Sequence, residues 1–437
     1  RVCEKQCKRL LCFLLGWCGF DILSIEDTAV TMLSFSFDNS QIPSAQKKRY
    51  ANRLVLYIKH LQEVVKSRKY LAAESSLILP GDSHGIKEIQ RLAKAMSSRL
   101  LKYVIVIGIG GSNLGAKAIY DALYGYTDIY SPDRSPKLIC LDTCDSRAME
   151  AVVQYLKKNV SSESEYIINV ISKSGATTET AANMAYLTQA CEKKLSGFAN
   201  RIVVTTDRGS VLWNMAQEHD YATLEIPKQV GGRYSVFSAV GLFPLACLGI
   251  DIRKLCKGAQ WSIKQCLSDR LEHNFAAMSA MSLVNYYSKG GRIHDTFFFA
   301  PALETVGKWY RQLFAESVGK IPKGSSVHEA ISFTPTVSVG STDLHSMAQM
   351  YLANPSSRFT TFVNIKNSPR LSRLEHNEWT DLVEGLRGKT LSGLTSTIYH
   401  GVINTYASKK MPFATIEMKE CSEFALGAFM QMKMIEV

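Results

Sequence analysis

Two short segments dominate what this chain can fold into: Val104-Ile-Val-Ile-Gly-Ile-Gly-Gly-Ser112-Asn-Leu-Gly115 and, further on, Val170-Ile-Ser172-Lys-Ser174-Gly-Ala-Thr177-Thr-Glu179-Thr180. Each reads as a buried strand running into a small, hydroxyl-rich turn that opens a helix. Such turns present backbone N–H groups and the positive end of a helix dipole, and serine or threonine hydroxyls add donors. Two of them together make a cradle for one phosphate, so the pattern points to a phosphorylated small molecule.

Spacing separates this reading from its rivals. A dinucleotide fingerprint requires Gly-x-Gly-x-x-Gly, and Asn113 stands where the third glycine should fall after Gly108 and Gly110. Gly110 and Gly115 have the separation of a Walker loop, but Ala116-Lys117-Ala118 replaces Gly-Lys-Ser/Thr. A glycine turn alone would be no more than a tight strand-to-helix connection. The second turn carries more, because one N-cap hydroxyl satisfies a helix start and here Ser172, Ser174, Thr177, Thr178 and Thr180 crowd it. The surplus is expected to contact a ligand.

Around these turns, Lys47 to Arg68 and Ile86 to Leu101 carry apolar residues at helical spacing, a helical lead-in. Strands are expected at Tyr103 to Ile107, Lys137 to Leu141, Tyr166 to Ile171, Arg201 to Thr205 and Thr223 to Ile226, with helices between them. Short apolar, β-branched runs alternating with helices predict an α/β protein with a parallel sheet covered on both faces. Phe297 to Ala300, Phe359 to Ile365 and Phe413 to Ile416 read as strands of a second such domain. The expected division is a lead-in over residues 32–69, a first domain over 70–250 and a second over 251–437. Ligands in doubly wound sheets bind beyond the carboxyl ends of strands, where both hydroxyl-rich turns fall.

These residues carry a family resemblance. The Gly-Ile-Gly-Gly-Ser and Ser-Lys-Ser-Gly-Ala-Thr-Thr-Glu-Thr turns resemble the sugar isomerase (SIS) domain and, within it, the bacterial type of the glucose-6-phosphate isomerase family. Gly231-Gly-Arg233-Tyr-Ser235-Val-Phe-Ser238 is similar to that family's arginine block, and Trp309-Tyr-Arg-Gln312-Leu-Phe-Ala-Glu316-Ser-Val-Gly319-Lys320 to its glutamate block. Ser341-Thr-Asp-Leu-His345-Ser is similar to its histidine block, and a weaker resemblance runs through Pro412 to Met418 and on to the end. The resemblance implies two doubly wound SIS-type domains and reversible isomerisation of glucose 6-phosphate to fructose 6-phosphate, a cytoplasmic step of glycolysis and gluconeogenesis. It implies no cofactor and no metal.

The same resemblance implies roles for individual residues. Ser112, Ser172, Ser174 and Thr177, with the N–H groups of Gly111 and Lys173, match the family's phosphate-binding positions. Glu316 matches its base; a carboxylate in a partly desolvated pocket suits a proton shuttle between C2 and C1. Outside its block, Glu316 would read as an ordinary helix-surface glutamate. Arg233, permanently charged, would stabilise the enediol oxyanion without transferring a proton; its plain alternative is a salt bridge. His345 matches a ring-opening histidine that the neighbouring subunit supplies, which implies a homodimer, and a neutral imidazole suits that proton transfer. Gln312, one helical turn before Glu316, would share its face and orient substrate hydroxyls.

The two ends of the sequence depart from the family's pattern. Arg1 to Arg9 is basic and Leu10 to Phe20 apolar, which imitates an export signal. That apolar run is shorter than the roughly 20 residues a membrane span needs. Met32-Leu-Ser-Phe-Ser-Phe-Asp38 resembles the family's start, so residues 1–31 are expected to lie outside the functional sequence, the alternative being a genuine export signal. At the other end the family continues into a Phe-Asp-Gln-x-x-Val-Glu block and a lysine that assists ring opening. The chain stops at Val437, and Lys433 does not stand at the matching position. Such a chain is expected to lack that lysine's contribution.

Composition fits without deciding. A net charge of +12 would suit an anionic sugar phosphate, but the basic residues are scattered and no nucleic-acid motif appears. Cys140, Cys144, Cys191, Cys247, Cys256, Cys266 and Cys421 lack zinc-like spacing and read as thiols of a reducing compartment. Three other functions are considered. A sugar-phosphate-binding regulator would need only the cradle, and another SIS-family isomerase would share part of the machinery. A NAD-dependent dehydrogenase, for which Asp142 imitates a ribose-binding acid, loses its support with the broken glycine pattern.

Overall fold

The computed structural model describes residues 32–195, 197–321, 331–367 and 371–437; the expectation for residues 1–31 lies outside them. Among the described residues ten strands form two five-stranded sheets. They are β1 (Leu33–Ser36), β2 (Tyr103–Ile107), β3 (Lys137–Leu141), β4 (Tyr166–Ile171), β5 (Ile202–Thr206), β6 (Ala222–Glu225), β7 (Ile293–Phe298), β8 (Thr334–Val339), β9 (Phe359–Ile365) and β10 (Phe413–Met418).

The chain divides into two compact units. The larger is drawn from Ser44–Ala280, Ala302–Ser332 and Cys421–Val437, the smaller from Arg1–Pro43, Met281–Pro301 and Phe333–Glu420. This differs from the division expected at residue 250. The helices Ile252–Cys266, Glu304–Val318 and Glu423–Glu436 all belong to the larger unit, with the first sheet. The lead-in also differs: it is helical only from Ser44, and Leu33–Ser36 is a strand of the smaller unit.

In the larger unit the sheet order is β3-β2-β4-β5-β6, every pair parallel. Every residue of β2 and β4 is buried, which is why both read as near-continuous apolar runs rather than alternating ones, broken only by Asn169, whose amide donates to the Val203 carbonyl and the Thr205 hydroxyl. Ile105, Ile107, Ile168, Val170 and Val204 pack on one face with Leu156 and Leu187 from the helices Ser146–Asn159 and Thr178–Cys191. Burial of each such side chain is worth about 1.5–3 kcal/mol. The helices Ile252–Cys266 and Glu423–Glu436 approach closely at two glycines. A Cβ on Gly258 would lie 1.9 Å from the Phe424 carbonyl oxygen, and one on Gly427 1.9 Å from that of Leu255.

In the smaller unit the order is β1-β10-β9-β7-β8, with β1 antiparallel and the other pairs parallel. Its core is aromatic: Phe297, Phe362 and Phe413 of the sheet meet Tyr399 and Tyr406 of the helix Leu391–Ser408. Both units are thus parallel α/β sheets, as expected, with one antiparallel edge strand in the second.

Candidate functional site

The first turn leaves the carboxyl end of β2 as Gly108-Ile-Gly110-Gly-Ser112 and enters the helix Leu114–Leu123. Gly111 is pressed against another loop: a Cβ there would lie 2.3 Å from the carbonyl carbon and oxygen of Gly232. Any side chain at 111 would therefore push the arginine block away. Ser235 fastens the contact, its hydroxyl lying 3.1 Å from the Gly111 carbonyl oxygen and 2.7 Å from that of Gly232. Ser112 stays partly exposed beside this junction.

The second turn follows β4. The hydroxyls of Ser172 and Thr177 lie 2.8 Å apart, and the Gly175 N–H donates to the Ser172 hydroxyl at 3.1 Å. Ser174 accepts from the Ala176 N–H at 3.3 Å and is itself exposed. Thr177 occupies the N-cap of the helix Thr178–Cys191 but makes no cap bond with its side chain. A helix start without a side-chain cap keeps N–H donors for an anion. Two of the crowded hydroxyl residues, Ser172 and Thr180, are buried. The Lys173 ammonium points elsewhere, to the carbonyls of Lys228 and Val230.

The remaining groups of the larger unit come from the arginine loop and the helix Glu304–Val318. Gln312 donates its amide N–H to Glu316 Oε1 at 2.8 Å, and the Arg233 guanidinium stands 3.5 Å from Glu316 Oε2. Gln312 also borders the first turn, since a Cβ on Gly110 would lie 3.0 Å from its Nε2. The expected desolvation of the base is not seen: the Glu316 side chain is 49% exposed, with Gln312 at one carboxylate oxygen and Arg233 at the other.

Sequence reasoning missed two residues here. Ser317 Oγ accepts from Arg233 Nε at 2.8 Å and lies 2.8 Å from the Tyr234 hydroxyl, while the guanidinium stacks 5.0 Å from the Tyr234 ring centroid. Ser317 thereby sets the plane of the arginine fork beside Glu316. Both residues lie within the arginine and glutamate blocks, but their pairing across distant sequence gives no local signal. Removing the hydroxyl with Ser317→Ala is expected to lower kcat roughly tenfold, the scale of one hydrogen bond to a charged group, with KM changed far less. Steady-state kinetics on the variant would decide it, and an unchanged kcat would remove Ser317 from the site.

His345 lies in the smaller unit, exposed on the short helix Thr342–Ser346. It is not among the residues that the larger unit brings together. Asp343 braces its turn, accepting from the Val339 N–H at 2.7 Å and from the Ser346 hydroxyl at 2.9 Å. Asp142, the imitation ribose acid, accepts from the Asn113 amide at 3.2 Å. No group of three or more His, Cys, Asp or Glu among the described residues is placed to hold a metal ion. No helix there is long and apolar enough to cross a membrane.

Comparison with known proteins bears on this geometry. Residues 87–353 match the model of the family described as phosphoglucose isomerase. The chain is 30% identical over 331 residues to the probable glucose-6-phosphate isomerase of Methanococcus maripaludis, covering 76% of this chain and 71% of that one. It is 33% identical over 334 residues to the glucose-6-phosphate isomerase of Clostridium novyi, covering 74% and 71%, and 32% identical over 381 residues to that of Acholeplasma laidlawii, covering 85% of both. Among solved structures, a hypothetical protein of Thermus thermophilus superimposes with a TM-score of 0.78 at 24% identity, covering 92% of each chain. A glucose-6-phosphate isomerase of Chlamydia trachomatis does so with 0.75 at 19% identity, covering 93% of this chain and 83% of that one. These two structural likenesses speak for the fold.

Proposed function

Because the chain belongs to the phosphoglucose isomerase family, we propose that it interconverts glucose 6-phosphate and fructose 6-phosphate, as the names of its relatives indicate. The observation that carries this reading is the Gln312–Glu316–Arg233 cluster, a carboxylate held by an amide on one oxygen and faced by a guanidinium on the other. The two hydroxyl-rich turns belong to the same unit. In the proposed reaction Ser112, Ser172, Ser174 and Thr177 bind the phosphate with the N–H groups of Gly111 and Lys173. His345, contributed by the second subunit of a homodimer, opens the ring.

Glu316 then takes the proton from C2. The electrons of that C–H bond become the C1–C2 double bond of a cis-enediol, and the negative charge gathers on oxygen near Arg233. Return of the proton from Glu316 to C1, with the O2 hydroxyl proton passing to O1, leaves a carbonyl at C2 and a hydroxyl at C1 and completes the ketose. Gln312 holds the carboxylate in place during both transfers. The setting proposed for this reaction is the cytoplasm, in glycolysis and gluconeogenesis.

The test is conversion of fructose 6-phosphate to glucose 6-phosphate, read through an NADP-linked dehydrogenase. Turnover is the expected result; sugar-phosphate binding without turnover would favour a regulator. Since Arg233 supplies the positive charge for the enediolate, treatment with a chelator is expected to leave the rate unchanged. A rate that fell with chelation and returned with a divalent cation would count against this mechanism.

A further inference from the structure

A lysine inside a phosphate-binding turn invites the assumption that its ammonium neutralises the phosphate. In this structure the Lys173 side chain does something else. Its Nζ lies 2.8 Å from the carbonyl oxygen of Lys228 and 2.8 Å from that of Val230. Both acceptors belong to the loop that leads directly into Gly231-Gly-Arg233. The same loop is held from its other side by the first turn, through Gly111 against Gly232 and through the Ser235 hydroxyl. The segment from 228 to 235 is therefore fastened to both phosphate turns, and the fastening to the second turn is the Lys173 ammonium.

Resting on the isomerase reading, we propose that Lys173 is a positioning residue, whose side chain ties the second phosphate turn to the Arg233 loop and so holds the guanidinium beside Glu316. Its backbone N–H remains available to the phosphate, and the two functions of the residue are separable. An ammonium bonded to two carbonyls cannot swing to an anion without giving up both bonds, each charge-assisted. A misplaced oxyanion stabiliser costs rate rather than affinity, because its interaction strengthens only as charge develops in the transition state.

The experiment compares the protein with Lys173→Met and Lys173→Arg. Three quantities are read: kcat and KM for fructose 6-phosphate, the inhibition constant of inorganic phosphate, and hydrogen exchange of the amides of residues 229–235. Lys173→Met is expected to lower kcat at least tenfold, leave the phosphate constant within about threefold and speed exchange in 229–235. Lys173→Arg, which keeps two N–H donors, is expected to recover most of kcat and of the exchange protection. A phosphate constant that rises in step with KM would make the ammonium a phosphate ligand and overturn the proposal. Unchanged exchange in Lys173→Met would overturn it as well. If the unaltered protein shows no turnover at all, the isomerase reading fails, and exchange in 229–235 still decides whether Lys173 is the strap.

Discussion

Glu316→Gln is expected to lower kcat by roughly 10²–10⁴, the range for loss of a positioned general base, while KM for fructose 6-phosphate moves only a few-fold. The separation follows from geometry. The substrate's phosphate is assigned to the two turns, so its binding does not depend on the carboxylate. The amide of the variant fills the same space, yet it takes no proton from C1 of the ketose or C2 of the aldose. It also removes the negative charge facing Arg233 at 3.5 Å and sets a second amide against Gln312. Glu316→Asp gives an independent control. Withdrawing the carboxylate by one methylene keeps its chemistry but misplaces it by about 1 Å, an error that costs about 10²-fold when reacting atoms must be aligned. Both variants should also slow exchange of the C1 proton of fructose 6-phosphate with deuterated solvent in proportion to kcat. A Glu316→Gln protein within threefold of the original rate would mean that another group is the base.

Much of this site could be read from the chain alone, for a definite reason. The two turns are local: a strand, a turn and a helix start are contiguous, so Gly108 to Ser112 and Ser172 to Thr177 announce themselves in sequence as hydroxyl-rich turns. The surplus of hydroxyls in the second turn has a use within the fold itself. Ser172 and Thr177 pair with each other to shape the turn, and Thr180 is buried within the helix. The orientation of Arg233 was not legible, because Ser317 reaches its guanidinium, and Lys173 the loop that precedes it, from remote positions, and neither residue type implies such a contact.

The fold divides in the same way. β2 and β4 are buried throughout and read directly as strands. β8 is not among the expected strands; its sequence Thr-Pro-Thr-Val-Ser-Val carries Pro335, which has no N–H to donate. It lies at the edge of its sheet, where a missing N–H is tolerated. β1 is four residues long and also lies at an edge. The interleaving of the two units was illegible for a different reason. An amphipathic helix records that it has an apolar face but not which sheet that face will cover, and three helices after residue 250 return to the larger unit.

One of those returning helices carries the second large expected effect. Lys433, on the helix Glu423–Glu436, is fully buried, with its ammonium 2.7 Å from Glu436 Oε2. The Tyr310 hydroxyl donates to the other oxygen of Glu436, and the ammonium sits 4.5 Å from the Tyr310 ring centroid. Burial and the neighbouring carboxylate hold the Tyr310 phenol well above its ordinary pKa, so it remains a donor. Tyr310 belongs to the helix that presents Gln312 and Glu316, and the triad pins the buried side of that helix. Glu436→Gln would strand a buried ammonium beside a neutral amide, and breaking a buried pair in this way costs about 3–5 kcal/mol. Removing both charges in Lys433→Met/Glu436→Gln strands neither, so the double variant is expected to recover most of that loss. Urea unfolding of the single and double variants measures the difference directly. A Glu436→Gln protein within about 1 kcal/mol of the original would show that Lys433 reaches water or another partner, and that the triad does not anchor the helix bearing the base.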